Sequence, residues 1–478
     1  MPRNFPSRAP TVSDPGVPAV PRGTSAPEGG DAAVGSRAPS LPDPCTPGVG
    51  TPDVHIDHYD LDLDYRIGPN RLSARARLSG RMLRRAASLA LDLTGLRVTK
   101  ASVNGSKVRF SHRGQKLRLT TGSLEADQPV RIDIAYVGNP APTIGTWGDI
   151  GWEELEDGVL VAGQPVGAST WFPCNDHPSN KSTYRIRVLT ESEYTVVSNG
   201  RLTDKVRKAG RTAWTWESTV PLATYLATVQ IGRYRRSEIA AEADAAPAFV
   251  PLGLYAGEHR DRAASRLRVQ HAMMTEFASH FGPYPFDRYD VVVTDEELEI
   301  PLESQPLSVL GPNHLGEDWE AERLIAHEMA HQWFGNSLTP RRWSDIWLNE
   351  GFACYAEWLW SEASGRESAD ERARGWWRTL AGLPQDLVIG NPGGPDMFDD
   401  RVYKRGALCL HDLRLRLGEE TFFTALRDWT ARHRHGSVDT ADFVECVSRV
   451  SGKDIAEAIR PWLCEAALPR LAGAPRTA

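Results

Sequence analysis

Residues 318–336 read DWEAERLIAHEMAHQWFGN, a stretch with two histidines in its second half. His327 and His331 are four residues apart, and Glu328 follows the first histidine directly. Residues four apart share one face of an α-helix, so both imidazoles can bind one metal ion while Glu328 approaches a water on it. Asp318 suits the N-cap position of such a helix. We therefore predict a metal-binding helix that begins next to Asp318.

A third ligand is expected downstream, because a catalytic zinc site usually has three protein ligands and one open position. Glu350 lies far enough after His331 for the first helix to end and a second helix to start beside it. Ser344 is predicted to cap that second helix. Two imidazoles and one carboxylate suit Zn²⁺. We predict one zinc ion per chain, bound by His327, His331 and Glu350, with Glu328 as the catalytic base.

The residue composition and the pattern of apolar residues predict four consecutive regions along the chain. Residues 1–53 are rich in proline, glycine and alanine and are expected to form a disordered tail. Residues 54–240 contain short runs that alternate apolar and polar side chains, such as 59–65, and predict an antiparallel β domain. Residues 241–470 have a mostly helical pattern and should form the catalytic domain. Residues 471–478 are a short tail.

Three local patterns refine this outline. Asn104-Gly105 lies between two β-compatible runs and predicts a hairpin turn. Residues 224–231 read as a strand, residues 261–280 as one helix, and residues 289–294 as a further strand. The fold class predicted from residues alone is therefore α+β, with β structure before helices.

The net charge, the lengths of the apolar runs and the placement of the cysteines bear on binding partners and location. The net charge is −7, and no lysine- or arginine-rich run is present, so nucleic-acid binding has no electrostatic support. No stretch approaches the roughly 18 consecutive apolar residues of a membrane span, and no apolar core follows Arg3, which argues against a signal peptide. The six cysteines are scattered, which favours free thiols in a reducing compartment. These features predict a cytoplasmic protein without an integral membrane segment.

The motifs resemble those of the aminopeptidase N family of zinc metallopeptidases, which includes the leukotriene hydrolases. Gln164 and the later stretch WFPCNDHP, residues 171–178, are similar to the family's Gln followed by Phe-Pro-Cys-x-Asp-x-Pro. PLES, residues 301–304, takes the place of the Gly-x-Met-Glu-Asn exopeptidase loop. VYKRG, residues 402–406, resembles the Tyr-x-Lys-Gly stretch. The resemblance covers about residues 54–470.

This resemblance implies a fold and a reaction. The fold is an N-terminal antiparallel β-sandwich or saddle domain followed by a thermolysin-like, mainly helical zinc-peptidase domain. The reaction is aminopeptidase hydrolysis in peptide catabolism, with peptides that have a free N-terminus as substrates. Glu303 and Gln164 are implied to bind the substrate's α-ammonium group, and Tyr403 to donate its hydroxyl to the developing oxyanion.

Departures from the family pattern bear on substrate selection. Ile300 and Pro301 replace small loop residues, Ser304 replaces an asparagine, and proline offers no N–H to a substrate. The chain is also expected to be a short form without the C-terminal helical domain of larger relatives, which would leave the site more open.

Two alternatives stay open. A thermolysin-like zinc endopeptidase has the same ligands but does not need Glu303. A non-catalytic scaffold with the peptidase fold would be expected to lose ligands, base or tyrosine. The oligomeric state is not predicted.

Overall fold

A computed structural model describes residues 42–241 and 248–473. Most of the predicted N-terminal tail, residues 1–41, lies outside the described residues, as do 242–247 and 474–478. Among the described residues, no helix is both long and apolar enough to cross a bilayer. All six cysteines fall in the described ranges, where they are unpaired, and five of them are buried.

The first part of the described chain consists mostly of β-strands. The strands are β1 (Val54–Arg66), β2 (Arg71–Met82), β3 (Ala86–Asp92), β4 (Arg97–Val103), β5 (Ser106–Lys107), β6 (Arg109–Arg113), β7 (Lys116–Leu124), β8 (Pro129–Gly138), β9 (Thr143–Gly145), β10 (Gly148–Leu155), β11 (Gly158–Ala162), β12 (Ser182–Glu191), β13 (Thr195–Ser198), β14 (Arg201–Lys208), β15 (Arg211–Leu222), β16 (Val229–Gly232) and β17 (Arg235–Glu238).

The second part is mainly helical. Its elements are β18 (Leu252–Ala256), α1 (Arg260–Arg266), α2 (Gln270–Phe281), β19 (Tyr289–Val293), β20 (Leu302–Ser304), β21 (Leu307–Leu310), α3 (Trp319–Ala330), β22 (Thr339–Pro340), α4 (Trp347–Ala363), α5 (Ala369–Ala381), α6 (Asp400–Leu417), α7 (Glu419–Arg432), β23 (Ser437–Val438), α8 (Thr440–Ser451) and α9 (Ala456–Cys464).

The strands of the first part form three sheets. The largest has the order β14-β15-β12-β1-β2-β8-β4-β5, a second has the order β13-β16-β11-β10-β9, and a third pairs β3-β7-β6. In β1 the alternation predicted from sequence is confirmed, since Tyr59, Leu61, Leu63 and Tyr65 are fully buried. One pair departs from the antiparallel prediction: β1 and β12 run parallel. The long connection from β2 to β11 makes this possible, because parallel neighbours need a crossover.

The second part contains a sheet with the order β17-β18-β19-β21-β20. The predicted β domain ends at residue 240 and includes β17, but β17 pairs with β18 across that boundary. The domain limits themselves stay a prediction. β20 lies at the edge of this sheet, where it pairs only with β21, and it carries Glu303.

The segment 42–53 corrects the tail prediction. Its residues Asp43, Cys45 and Thr51 are buried, although the sequence predicts disorder. The composition argument fails here because polar contacts replace an apolar core. Trp343 N donates to Asp43 Oδ2 at 2.6 Å, and Thr51 N donates to a buried asparagine side chain at 2.8 Å.

Local predictions have mixed outcomes. The Asn104-Gly105 turn is confirmed, because both residues have positive φ and the hairpin joins β4 to β5. The strand prediction for 224–231 is wrong in its first half, which is a 3₁₀ turn before β16. The helix predicted for 261–280 is split by a 3₁₀ segment between α1 and α2.

Two glycines bring the helices of the site together. α4 and α6 cross at Gly351 and Gly406, where a Cβ on Gly351 would lie 2.9 Å from the Cα of Gly406. A side chain at either position would force the helices apart, since real Cβ contacts are essentially never this short. The crossing holds Tyr403, on α6, beside Glu350, on α4.

Candidate metal centre and substrate cleft

The three predicted metal ligands lie together. His327 is in the last turn of α3, His331 directly follows that helix, and Glu350 is in the first turn of α4. Oε2 of Glu350 lies 3.3 Å from Nε2 of His327 and 3.5 Å from Nε2 of His331. The three ligand atoms lie within 4.8 Å of one another, and all three side chains are buried. Two helix ends therefore present three donor atoms to one point.

The cap predicted for α3 is confirmed, whereas the cap predicted for α4 is wrong. Asp318 Oδ1 accepts a hydrogen bond from Ala321 N at 2.9 Å. Ser344 does not cap α4, because it lies inside a 3₁₀ turn, Trp343–Asp345, that leads directly into the helix.

The second ring nitrogen of each histidine is already engaged. Nδ1 of His327 lies 2.7 Å from Oε1 of Glu357, and Nδ1 of His331 lies 3.0 Å from the backbone oxygen of Phe334. An acceptor beside Nδ1 holds the ring proton there, which leaves the Nε2 lone pair free. Both free lone pairs face the side of Glu350. The imidazoles are thus oriented as metal ligands require.

Glu357 is a site residue that the sequence analysis missed. It lies two helical turns after Glu350 on α4, so both carboxylates share one face, and this spacing is the signal that could have found it. Its Oε2 lies 3.5 Å from Nη1 of Arg323 and 3.7 Å from Nζ of Lys404. Burial opposes ionisation of Glu357, but Lys404 and His327 lower its pKa to about 2. Glu357 therefore stays ionised behind the ligands.

The electrostatics of the centre favour a bound cation. Burial on its own would lower the pKa of His331, but the carboxylates of Glu350 and Glu303 outweigh burial and raise it. Burial would raise the pKa of Glu350, but the two histidines lower it. Negative charge is thus concentrated where the three donor atoms meet, and a divalent cation fits this point. Two imidazoles and one carboxylate are a donor set that zinc accepts.

The predicted base and the predicted oxyanion donor both border the ligands. Glu328 is 4% exposed, and its Oε2 has no hydrogen-bond partner among the described residues. Burial raises the pKa of Glu328, and the neighbouring histidines oppose this effect. The ring of Tyr403 lies nearly parallel to that of His327, with centroids 6.1 Å apart. Tyr403 is half-buried, whereas Glu328 and the ligands are buried.

Glu303, on β20, is the predicted anchor for the substrate's α-ammonium group. Its half-buried carboxylate carries an oxygen, Oε1, without a hydrogen-bond partner among the residues that the structure describes. Burial raises the pKa of Glu303, His331 lowers it, and Glu350 and Glu328 raise it further. The carboxylate of Glu303 therefore interacts electrostatically with the predicted ligands and the predicted base. Glu303 is half-buried as a residue, while the oxygen that lacks a partner in the described part of the chain is itself buried.

The residue after Glu303 connects β20 to the segment that follows α3. The backbone oxygen of Ser304 accepts hydrogen bonds from Gln332 Nε2 at 3.1 Å and Asn336 Nδ2 at 2.7 Å. The Ser304 hydroxyl donates to Leu226 O at 2.6 Å. The serine that departs from the family pattern thus has a structural function. Of the other two departures, Ile300 is 63% exposed and Pro301 is half-buried.

Gln164 is the second residue predicted to bind the substrate's α-ammonium group. It lies in the turn after β11, and its Nε2 is buried without a partner in the described part of the chain. No hydrogen bond joins Gln164 to Glu303 among the described side chains. The preceding residue, Gly163, packs on Tyr225, where a Cβ would lie 2.2 Å from the tyrosine's backbone oxygen. The role of Gln164 stays a prediction.

Profiles of known protein families match both halves of the chain. The profile of the peptidase M1 N-terminal domain matches residues 55–226. The profile of the peptidase family M1 domain matches residues 266–462. The chain belongs to peptidase family M1. The predicted fold class, a mostly β domain followed by a helical catalytic domain, is confirmed for this M1 chain.

Curated relatives are named as aminopeptidases. The chain is 22% identical over 447 residues to the leucyl aminopeptidase of Saccharolobus solfataricus, a match that covers 87% of this chain and 54% of that protein. It is 26% identical over 341 residues to the glutamyl aminopeptidase of Bitis rhinoceros, covering 64% of this chain and 34% of that protein. This M1 chain spans about half, or less, of the length of these relatives.

Solved M1 structures match over nearly their full length. An M1 zinc metallopeptidase from Deinococcus radiodurans is 29% identical, with a TM-score of 0.79, and the match covers 90% of this chain and 98% of that one. A variant of that protein with the same TM-score and 28% identity was solved with a Tyr-Ser-Ala substrate bound.

Proposed function

We propose that this M1 chain is a zinc-dependent aminopeptidase that removes the N-terminal residue from peptides. The observation that carries the proposal is the pairing of two features. Three donor atoms of His327, His331 and Glu350 meet at one buried point. Beside them, the half-buried Glu303 has a carboxylate oxygen that lacks a hydrogen-bond partner among the described residues. The first feature suits a metal, and the second suits a cation such as an α-ammonium group.

The reaction proposed is metal-assisted hydrolysis of a peptide bond. Zinc bound by the three ligands would act as a Lewis acid that polarises the scissile carbonyl and lowers the pKa of a water. Glu328 takes the proton of the attacking water on its carboxylate and later passes it to the leaving amine. Tyr403 donates its hydroxyl hydrogen to the oxyanion as the carbonyl becomes tetrahedral.

Glu303 and Gln164 set the position of cleavage. Their polar groups hold the substrate's α-ammonium group at a fixed distance from the metal, so that the first peptide bond lies at the reacting point. β20 is an edge strand, a position at which an extended peptide can add to a sheet. Because the backbone oxygen of Ser304 is already bonded to Gln332 and Asn336, we place the peptide beside Glu303. Charge and backbone contacts together therefore favour peptides with a free N-terminus.

The relatives support the substrate class. The curated relatives are named leucyl and glutamyl aminopeptidase, and the solved M1 neighbour was captured with a tripeptide. For this chain we extend the proposal to short peptides in the cytoplasm. The buried, unpaired cysteines support a reducing compartment.

A panel of aminoacyl fluorogenic substrates tests this function. We expect hydrolysis that is lost with a chelator and restored by added zinc, together with no release from N-blocked analogues. Equal hydrolysis of blocked and free substrates would favour the endopeptidase alternative. Absence of hydrolysis from zinc-loaded protein across the panel would favour the scaffold.

A further inference from the structure

Tyr225 extends from the β part of the molecule into the metal centre. It lies in the 3₁₀ turn Thr224–Leu226 and is buried. Its hydroxyl donates to the backbone oxygen of Gly335 at 2.9 Å and accepts from Nδ2 of Asn349 at 3.4 Å. No other described tyrosine hydroxyl bridges two segments that carry metal ligands.

Both partners of the hydroxyl adjoin a ligand. Asn349 directly precedes Glu350 in α4. Gly335 lies in the loop after α3, where a Cβ would come within 3.3 Å of Nδ1 of His331 and 3.2 Å of Nδ2 of Asn349. The Tyr225 hydroxyl therefore joins the backbone beside one ligand to the residue beside another.

The rest of Tyr225 is held independently of its hydroxyl. The ring packs edge-on against Trp343, with centroids 5.0 Å apart. The backbone oxygen lies against Gly163, next to Gln164. A phenylalanine at position 225 keeps both contacts, and Gly335 O keeps a second donor, the hydroxyl of Thr339 at 2.7 Å.

We propose that Tyr225 is a positioning residue, whose hydroxyl fixes His331 and Glu350 relative to each other from the β domain. The inference rests on the proposed zinc site. The physical reason is that a ligand pair holds one metal geometry only if the segments behind it cannot shift. A hydrogen-bonded bridge between those segments, anchored in the 3₁₀ turn between β15 and β16, restricts such a shift.

The test compares Tyr225→Phe with Tyr136→Phe in the full chain. Tyr136 is a matched control, because its buried hydroxyl also donates to a backbone oxygen at 2.9 Å, that of Trp171, away from the ligands. Zinc affinity is measured by competition with a fluorescent chelator, Tm by thermal unfolding, and kcat and KM on an unblocked aminoacyl substrate.

For Tyr225→Phe we expect zinc affinity or kcat to fall by about 10- to 100-fold, the usual effect of losing a partner behind a ligand. KM should change by less than about twofold, since the Gly163 contact that supports the Gln164 turn is kept. Tyr136→Phe should lower Tm by about as much as Tyr225→Phe does. It should leave zinc affinity and kcat unchanged.

Equal zinc affinity and equal kcat in the two variants would overturn the proposal, and so would a loss confined to KM. If Tyr225→Phe does not fold, Asn349→Ala removes the other side of the bridge. It should weaken zinc binding, and unchanged zinc affinity would likewise overturn the proposal. Zinc affinity needs no turnover, so an inactive wild-type protein would contradict the aminopeptidase function without deciding this inference.

Discussion

Nδ1 of His327 lies 2.7 Å from Oε1 of Glu357, so a second carboxylate lies behind this predicted metal ligand. The contact holds the ring proton on Nδ1 and makes Nε2 a better donor to a cation. Glu357 is itself held by Arg323 and Lys404. The centre is thus a layered arrangement, in which cations fix a carboxylate and that carboxylate fixes a ligand.

Removing the charge of Glu357 should weaken zinc binding. We expect Glu357→Gln to raise the Kd for zinc by about 10- to 100-fold, the typical effect of changing such a partner. Glu322→Gln is the matched control, because Glu322 is a second buried carboxylate whose partners, Trp360 and Arg366, do not touch the ligands. A zinc Kd equal to that of the control would contradict the layered arrangement.

Glu328→Gln should separate metal binding from turnover. The amide cannot take a proton from water, and a general base typically contributes about 10²- to 10⁴-fold to the rate. We expect zinc content to stay near one ion per chain while kcat falls by that order. Zinc content is measured by elemental analysis of the dialysed variant. An active Glu328→Gln protein would refute the assignment of the base.

Tyr403→Phe should lower kcat with little effect on zinc content. One oxyanion donor is worth about 10²- to 10³-fold in kcat. Tyr355→Phe is a control for the loss of a hydroxyl, because Tyr355 is buried in α4 and contacts His411 and Arg414 rather than the ligands. If the kcat of Tyr403→Phe equalled that of Tyr355→Phe, the hydroxyl of Tyr403 would have no part in the reaction.

The segment that follows residue 41 should contribute to stability. Deleting residues 1–51 removes the hydrogen bond between Asp43 and the backbone of Trp343, while deleting residues 1–41 keeps it. Each buried hydrogen bond contributes roughly 1 kcal/mol. We expect the longer deletion to have the lower Tm in thermal unfolding. Identical Tm values for the two deletions would show that this segment adds nothing to stability.

The metal ligands could be predicted because their signal is local. Two histidines four residues apart share a helix face whatever the rest of the fold, and Glu350 needs only a turn between two helices. The same reasoning could not find Tyr225. It is far from the ligands in sequence, and only the packing of the β part against α3 and α4 brings it to Gly335.

The wrong predictions for Ser344 and for the segment 42–53 also have physical causes. Ser344 has the chemistry of a cap, but a 3₁₀ turn continues directly into α4 and leaves no N-terminus for a side chain to cap. The segment 42–53 has the composition of a tail, yet Asp43 and Thr51 are ordered by partners that are distant in sequence. Composition describes a segment alone and cannot report such partners.

The central claim, zinc-dependent cleavage at a free N-terminus, is tested most directly on one peptide in two forms. The peptide is incubated with wild-type protein and with Glu303→Ala, with either a free or an acetylated N-terminus, and the products are followed by mass spectrometry. We predict stepwise loss of N-terminal residues from the free form alone, stopped by a chelator and strongly reduced in Glu303→Ala. Internal cleavage of the acetylated peptide at the same rate, by either protein, would contradict the claim.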